Sequence, residues 1–411
     1  MITVTVFIIV YLGMMLGRLP GLKVDRSAIA LLGAIALIAS KEISGQQAIG
    51  FIGADTIALL FGLMIISSQF TLSGMYGEVT RRLVSLDVGP RYLLALLVVV
   101  SGAMAALLTN DVVALAMAPL IVQLCVQRRL NPVPYLLGMA CSVNAGSTAT
   151  LIGSPQNILI GQHMELSFGG FMVYTAVPAI LALGVIWLAL SFLYRDKWTL
   201  AEAKQGKPAK AYPYDRPESV KGLIVTAVVV GLFLFTNWPR DLVALAAGGL
   251  LLMNAHYQSR KMLDHVDWQL LILFMGLFIV NGAFQQTHLP QQWVDGLQSH
   301  GIDFQHPATL FLSTVILSDL VSNVPAVMLL LPYAKDAIAG PAMALAAGMA
   351  SNLIIIGSIA NIIVVDAASR YGMTISFREF ARTGIPVTLV SLLIAAGWLW
   401  FVAASSITGL L

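Results

Sequence analysis

Two short stretches place polar groups where an otherwise apolar chain has none. ALLTNDVVALAMAPL sets Thr109, Asn110 and Asp111 side by side, and SDLVSNVPAVMLLLP does the same with Asp319, Ser322 and Asn323. Amides and hydroxyls beside a carboxyl bind a small polar solute or an ion, and the carboxyl can carry a proton. An ionisable group at membrane depth costs at least roughly 2.5 kcal/mol, which argues for function over simple helix capping. Asp111 and Asp319 are therefore the candidate proton-coupling residues. Asp319 fits equally an acid near the outer mouth, because the matching position in the first half is Ala106. Asp366, near the inner end of its segment, reads as a snorkelling structural acid.

Each stretch has a partner further along. SVNAGSTATLIGSPQNILI begins at Ser142, and SNLIIIGSIANIIV begins at Ser351. Both are too rich in Gly, Ser and Asn for an uninterrupted helix, and a break is expected between Asn144 and Pro155. Unwound backbone there exposes carbonyls, and the helix that follows presents N–H groups and a partial positive charge. The expected substrate-binding set is Thr109, Asn110, Asp111, Asn144, Ser147, Thr148, Ser322, Asn323, Ser351 and Asn352. Gly146, Gly153, Pro155, Asn157, Gly357, Ser358 and Asn361 are expected to support the breaks. Close helix packing through small residues would also explain Gly146 and Gly153, but explains the asparagines less well.

The elements that must hold these groups are membrane helices. Of 411 residues, 58% are hydrophobic and 10% charged, with mean hydropathy +0.86, well outside the composition of soluble domains. Apolar runs give spans at 2–17, 27–40, 50–74, 135–162 and 171–194, then 219–237, 241–255, 268–288, 341–368 and 384–408. This makes two sets of five. The polar stretches lie in segments 91–127 and 308–334, read as re-entrant hairpins of two half-helices each too short to span. The first apolar segment has neither a basic start nor a cleavage pattern and reads as a helix rather than a signal peptide.

Basic residues orient the chain. With 195–221 cytoplasmic, 20 of the 23 Lys and Arg fall inside and only Lys41, Arg240 and Lys335 outside, with both termini periplasmic in a bacterial inner membrane. The fold class is thus an all-α polytopic membrane protein of two inverted repeats, 1–194 and 219–411. Each repeat has a hairpin and a broken helix (135–162 and 341–368). The cytoplasmic linker 195–218, with Pro208, Pro213 and Pro217, reads as a solvated tether. Three anchors support the duplication: Asp55 with Asp267 at an offset of 212, Asn110 with Asn323 and Pro119 with Pro332 at 213, and Gly153 with Gly357 at 204. Inverted repeats are the signature of secondary transporters.

Other classes fit poorly. Cys125 and Cys141 lie in apolar segments, so neither a disulfide framework nor a multi-thiolate metal site is expected. The histidines fall in loops. No nucleophile and base pair off, so no enzyme, cofactor or nucleic-acid partner is expected, and a channel has no need of mirrored half-sites.

LTNDVVALAMAPL, NAGSTATLIGSPQNILI, SNVPAVMLLLP and GSIANIIV resemble the ion transporter superfamily, specifically its arsenite permease and sodium/proton antiporter branch, including YbiR-type anion permeases. The resemblance covers nearly the whole membrane domain. It implies a scaffold subdomain, often dimeric, and a transport subdomain that moves as an elevator in the lipid bilayer. It maps the family's hairpin Ser-Asn-Thr motifs onto Thr109, Asn110, Asp111 and onto Ser322, Asn323, Val324. The lost hydroxyl at Val324 and the carboxylate at Asp111 point away from a dicarboxylate carrier with two sodium sites and toward proton coupling.

The leading expectation is arsenite or antimonite efflux coupled to protons, for which a soluble ATPase partner is conceivable. Arsenous acid is neutral near pH 7, and two cysteines cannot supply three thiolates, so hydroxyls and amides would have to bind it. The alternatives are another inorganic or small organic anion permease, or a sodium/proton antiporter.

Overall fold

A computed structural model of the protein describes residues 1–17, 24–199 and 212–405. Arg18, Lys23, Pro208 and the last residues of the final expected span lie outside them. Every regular element among the described residues is helical.

The first half begins with α1 (Ile2–Leu16), α2 (Arg26–Ala39), the short α3 (Gly45–Phe51) and α4 (Ala54–Leu72). The expected span 50–74 corresponds to α4 and overlaps only the last two residues of α3, which the sequence does not announce. The two helices are separate because Ile52 and Gly53 leave helical geometry. Next come α5 (Met75–Ser85), α6 (Pro90–Leu108), α7 (Asn110–Gln127), α8 (Pro132–Ser147), α9 (Pro155–His163) and α10 (Phe168–Leu193). The second half follows the same order. It has α11 (Arg216–Phe235), α12 (Arg240–Leu252), α13 (Ser259–Leu263), α14 (Trp268–Gln285), α15 (Leu289–Ser299), α16 (Pro307–Val321), α17 (Asn323–Leu330), α18 (Ala339–Ala350), α19 (Ile359–Ser369) and α20 (Phe377–Ala404).

Seven of these helices are long and apolar enough to cross a membrane, and six shorter apolar ones accompany them. Their outer faces carry large exposed apolar side chains such as Phe192, Phe235, Leu393 and Trp400. Lipid is the medium that makes such a surface stable.

In each segment expected to form a hairpin, two helices meet with a single residue between them. Thr109 joins α6 to α7 with φ 68°, and Ser322 joins α16 to α17 with φ 80°. The arms of the first hairpin depart from the expectation of half-helices too short to span, being 19 and 18 residues long. Together they cover 90–127, within one residue of the expected segment 91–127. In the second hairpin the arms are 15 and 8 residues.

Helices of the two halves pack crosswise. α4 packs along α12 and α14 along α2, and the two crossings are made alike. A Cβ on Gly62 would lie 2.5 Å from the Ala244 carbonyl carbon, and one on Gly276 would lie 2.6 Å from that of Ala30. Only glycine lets backbones meet this closely. Both pairs are 214 residues apart in equivalent positions, and α4 and α14 also begin 214 apart. The anchor of Asp55 with Asp267 was therefore two residues out of register. Gly53 and Asp267 are the matching N-caps.

The described end of the linker is docked rather than free. Asp215 N–H donates to the Ser73 carbonyl at 2.9 Å, and the Asp215 carboxylate caps α11.

Candidate functional site

Where α8 gives way to α9, and α18 to α19, the chain leaves the helix over residues 148–154 and 351–358. The same side chain closes each gap. Asn157 Nδ2 donates to the carbonyls of Ser147 (3.1 Å) and Thr150 (2.9 Å), and Asn361 Nδ2 donates to those of Ser351 (2.7 Å) and Ile354 (3.1 Å). Every partner is shifted by 204 residues. Pro155 opens α9, where its missing N–H costs nothing. Ser358 caps α19 by accepting from Ala360 N–H. Gly153 is needed because a Cβ there would stand 2.2 Å from the Ser147 carbonyl oxygen.

Gly146 does a different job. A Cβ on it would meet Gly102 backbone atoms at 2.4–2.7 Å, so it brings α8 onto α6 instead of supporting the break.

Asn144 joins the two breaks. Its Nδ2 donates to Asn352 Oδ1 and Asn361 Oδ1, both at 3.0 Å, and its Oδ1 accepts from Ser358 Oγ (3.0 Å) and Asn110 Nδ2 (3.3 Å). Two donors and two acceptor positions are all an amide has. The side chain expected to bind substrate is thus filled by protein. Ser147 and Thr148 likewise turn their hydroxyl hydrogens back onto the Asn144 and Ala145 carbonyls.

The orientation of each amide follows from carbonyl groups that can only accept. Asn361 Nδ2 and Asn352 Nδ2 both face backbone carbonyls, the latter that of Cys141. Their Oδ1 atoms must then accept from Asn144 Nδ2, which leaves Asn110 to donate through Nδ2. In the second hairpin, Ser351 Oγ donates to the Ala347 carbonyl and so accepts from Asn323 Nδ2 at 2.8 Å. At both hairpin tips the amide oxygen is left over.

Asn110 Oδ1, Asn323 Oδ1, Asp111 Oδ1 and Asp319 Oδ1 are all buried without a partner. Asp111 faces the Ala360 amide in the first turn of α19. Asp319 leans over the second break, its Oδ1 2.9 Å from where a Cβ on Gly357 would be. Asp366 is apart from all this, exposed and paired with Arg370 at 2.8 Å. The strained φ of Thr109 and Ser322 turns each tip so that the following asparagine points inward, and Asn110 N–H reaches the Gly153 carbonyl at 3.1 Å.

Ser154 and Ser318, also with buried unpartnered hydroxyls, were missed. Ser154 was legible as the 204-residue counterpart of Ser358, whereas nothing local marks Ser318.

The arrangement is a polar cluster rich in acceptor oxygens, made by two hairpin tips and two helix breaks within an apolar bundle. A family model described as citrate transporter matches residues 7–348. This chain belongs to the citrate transporter family. It is a multi-pass membrane transporter and not an enzyme. The inner membrane protein YbiR of Escherichia coli is 32% identical over 76% of this chain and 80% of its own length. The silicon efflux transporter LSI3 of Oryza sativa is 27% identical over 90% of this chain and 91% of its own. In fold, this citrate transporter family member is similar to the crystal structure of the YdaH transporter of Alcanivorax borkumensis, with TM-score 0.63 and 14% identity over 99% of both chains.

Proposed function

We propose that this protein exports a small, uncharged polyhydroxy oxyacid in exchange for protons, with arsenous and antimonous acids as the leading substrates and silicic acid in the same class. One observation carries the reading: the four unpartnered buried side-chain oxygens at the hairpin tips and on the two acids are acceptors. An uncharged oxyacid brings several O–H donors to meet them, whereas fully ionised citrate brings one hydroxyl donor against three carboxylates, which add acceptors and negative charge. Among the described residues, no lysine, arginine or histidine belongs to the hydrogen-bonded cluster. The silicon efflux relative supports the same class. Because such a cargo carries no charge, a titrating carboxyl, Asp111 or Asp319, would couple its movement to the proton gradient.

The duplicated geometry supports two inverted repeats, 1–194 and 219–411, which alternate as a carrier, with hairpins and broken helices moving against α1, α2, α4, α11, α12 and α14. The basic-residue distribution supports an inner-membrane orientation with both termini outside. A second reading, coupled uptake of a carboxylate such as citrate, is favoured by the description of the family model alone.

Proteoliposomes holding an imposed pH gradient separate the two. Proton-driven arsenite or silicate flux with no citrate flux supports the oxyacid reading. Citrate flux without oxyacid flux overturns it.

A further inference from the structure

Arg240, the first residue of α12, is one of three basic residues that the charge pattern places on the outer side. Its guanidinium is half-buried and donates to the Leu166 carbonyl through Nη1 at 2.8 Å and to the Gly161 carbonyl through Nη2 at 2.9 Å. These carbonyls belong to the C-terminal cap of α9, where Leu166 N–H turns back to Gly161 and Glu165 takes φ 52°. Helix ends leave carbonyls unpaired, and a forked cation is a strong partner for two of them. Arg240 thus ties α12 to the end of the first broken helix, and α9 rests on α4 beside it.

The register set by the Gly62–Ala244 and Gly276–Ala30 crossings pairs Arg240 with Arg26, 214 residues earlier and likewise the first residue of its helix. α19 ends in the same cap as α9. Met373 N–H turns back to the Ala368 carbonyl, and Gly372 takes φ 67°. Yet Arg26 makes no hydrogen bond or ion pair among the described residues, its Nε is buried and unpartnered, and its guanidinium lies beside Gly17. Nor does α19 pack on α14 as α9 packs on α4. Arg240 holds the cap of α9, whereas Arg26 holds no helix cap among the described residues.

We propose that Arg240 and Arg26 are alternating latches. In this state Arg240 clamps the end of α9. In the opposite state it lets go, and Arg26 clamps the end of α19 through the Ala368 and Met373 carbonyls. The proposal rests on the inverted-repeat carrier reading, in which the halves exchange conformations. Each arginine contributes free energy to one state only, which is what shifts a two-state equilibrium.

The test places spin labels on cysteines at His163, the last residue of α9, and Leu242 in α12, both exposed, and measures their distance distribution in lipid with and without arsenite. The parent should show a short and a long distance. Arg240→Ala removes two charge-assisted hydrogen bonds, each worth about tenfold or more, and should lower the short-to-long ratio by about a hundredfold, and Arg26→Ala should raise it. Arg240→Lys keeps the charge but cannot fork, and should fall between parent and Arg240→Ala. Two parental distances with both alanine variants shifting the same way, or neither shifting, would overturn the latch and leave the carrier reading standing. A single parental distance under both conditions would sink the two-state reading, and the latch with it.

Discussion

Asn144 and Asn361 meet side chain to side chain at 3.0 Å across 217 residues of sequence, and this contact binds the break of one broken helix to the break of the other. Asn144→Ala would strand Asn352 Oδ1, Asn361 Oδ1 and Asn110 Nδ2 at once, and would take the acceptor from the Ser358 hydroxyl, which keeps only the Ala360 N–H it accepts. Each buried polar group left unpaired costs about 1–3 kcal/mol. The expected outcome is a large fall in melting temperature in detergent together with loss of transport. Asn144→Asp, which keeps the shape but not the two donors, should fall almost as far. A variant melting with the parent would show that the amide carries no structural load.

The hairpin tips should behave differently. Asn110→Ala and Asn323→Ala each remove one internal hydrogen bond, worth about 0.5–1.5 kcal/mol net, and one unpartnered acceptor. Transport should fall to background in both while each protein inserts and purifies. Full activity in either one would break the case for a site shared by the two tips.

Asp111→Asn keeps the size of the side chain and an acceptor but cannot titrate. Proton-driven uphill accumulation should disappear, while downhill exchange of arsenite or silicate persists. Both are read in the same proteoliposomes. If accumulation survives, the coupling group is Asp319 or the coupling ion is not the proton.

Gly146→Ala tests the close approach of α8 to α6. Its Cβ would press on Gly102 backbone atoms, which cannot rotate away. Overpacking of this kind costs about 1–3 kcal/mol. The variant should show reduced yield and a lower melting temperature, with any surviving protein retaining substrate affinity.

Topology is checked with reporters. A fusion at Ala203 should report the cytoplasmic side and one at Ser299 the opposite side. Finding both on one side would undo the inverted-repeat arrangement.

The hairpins and breaks were readable in sequence because polar residues inside apolar runs have few structural uses at membrane depth. Thr109–Asp111, Ser322–Asn323 and both 204-residue counterparts fall where the spacing put them. What spacing could not show is where each hydrogen goes. Ser147 and Thr148 look like ligands in sequence, but the nearest carbonyl of their own helix takes the proton. Asn144 finds its partners 208 and 217 residues away, a distance no local pattern encodes. The segment 91–127 was legible almost to the residue, but dividing it at Thr109 gives arms of 19 and 18 residues, so the expectation of half-helices too short to span fails on length. Arg240 looked like an exception to the charge rule, and only its carbonyl partners explain why a cation is kept there.

At the contact of Gly102 with Gly146, α6 and α8 lie backbone against backbone, and the Thr150 hydroxyl on the Ala106 carbonyl adds a second fastening nearby. For the first hairpin to swing open alone, it would have to tear a slot along this seam too thin for a lipid tail, forfeiting contacts with nothing to replace them. In the proposed carrier, cargo therefore has no side door. Slippage, the passage of a coupling ion without its cargo, is held down by how the two helices are welded together, independently of how tightly either one is bound.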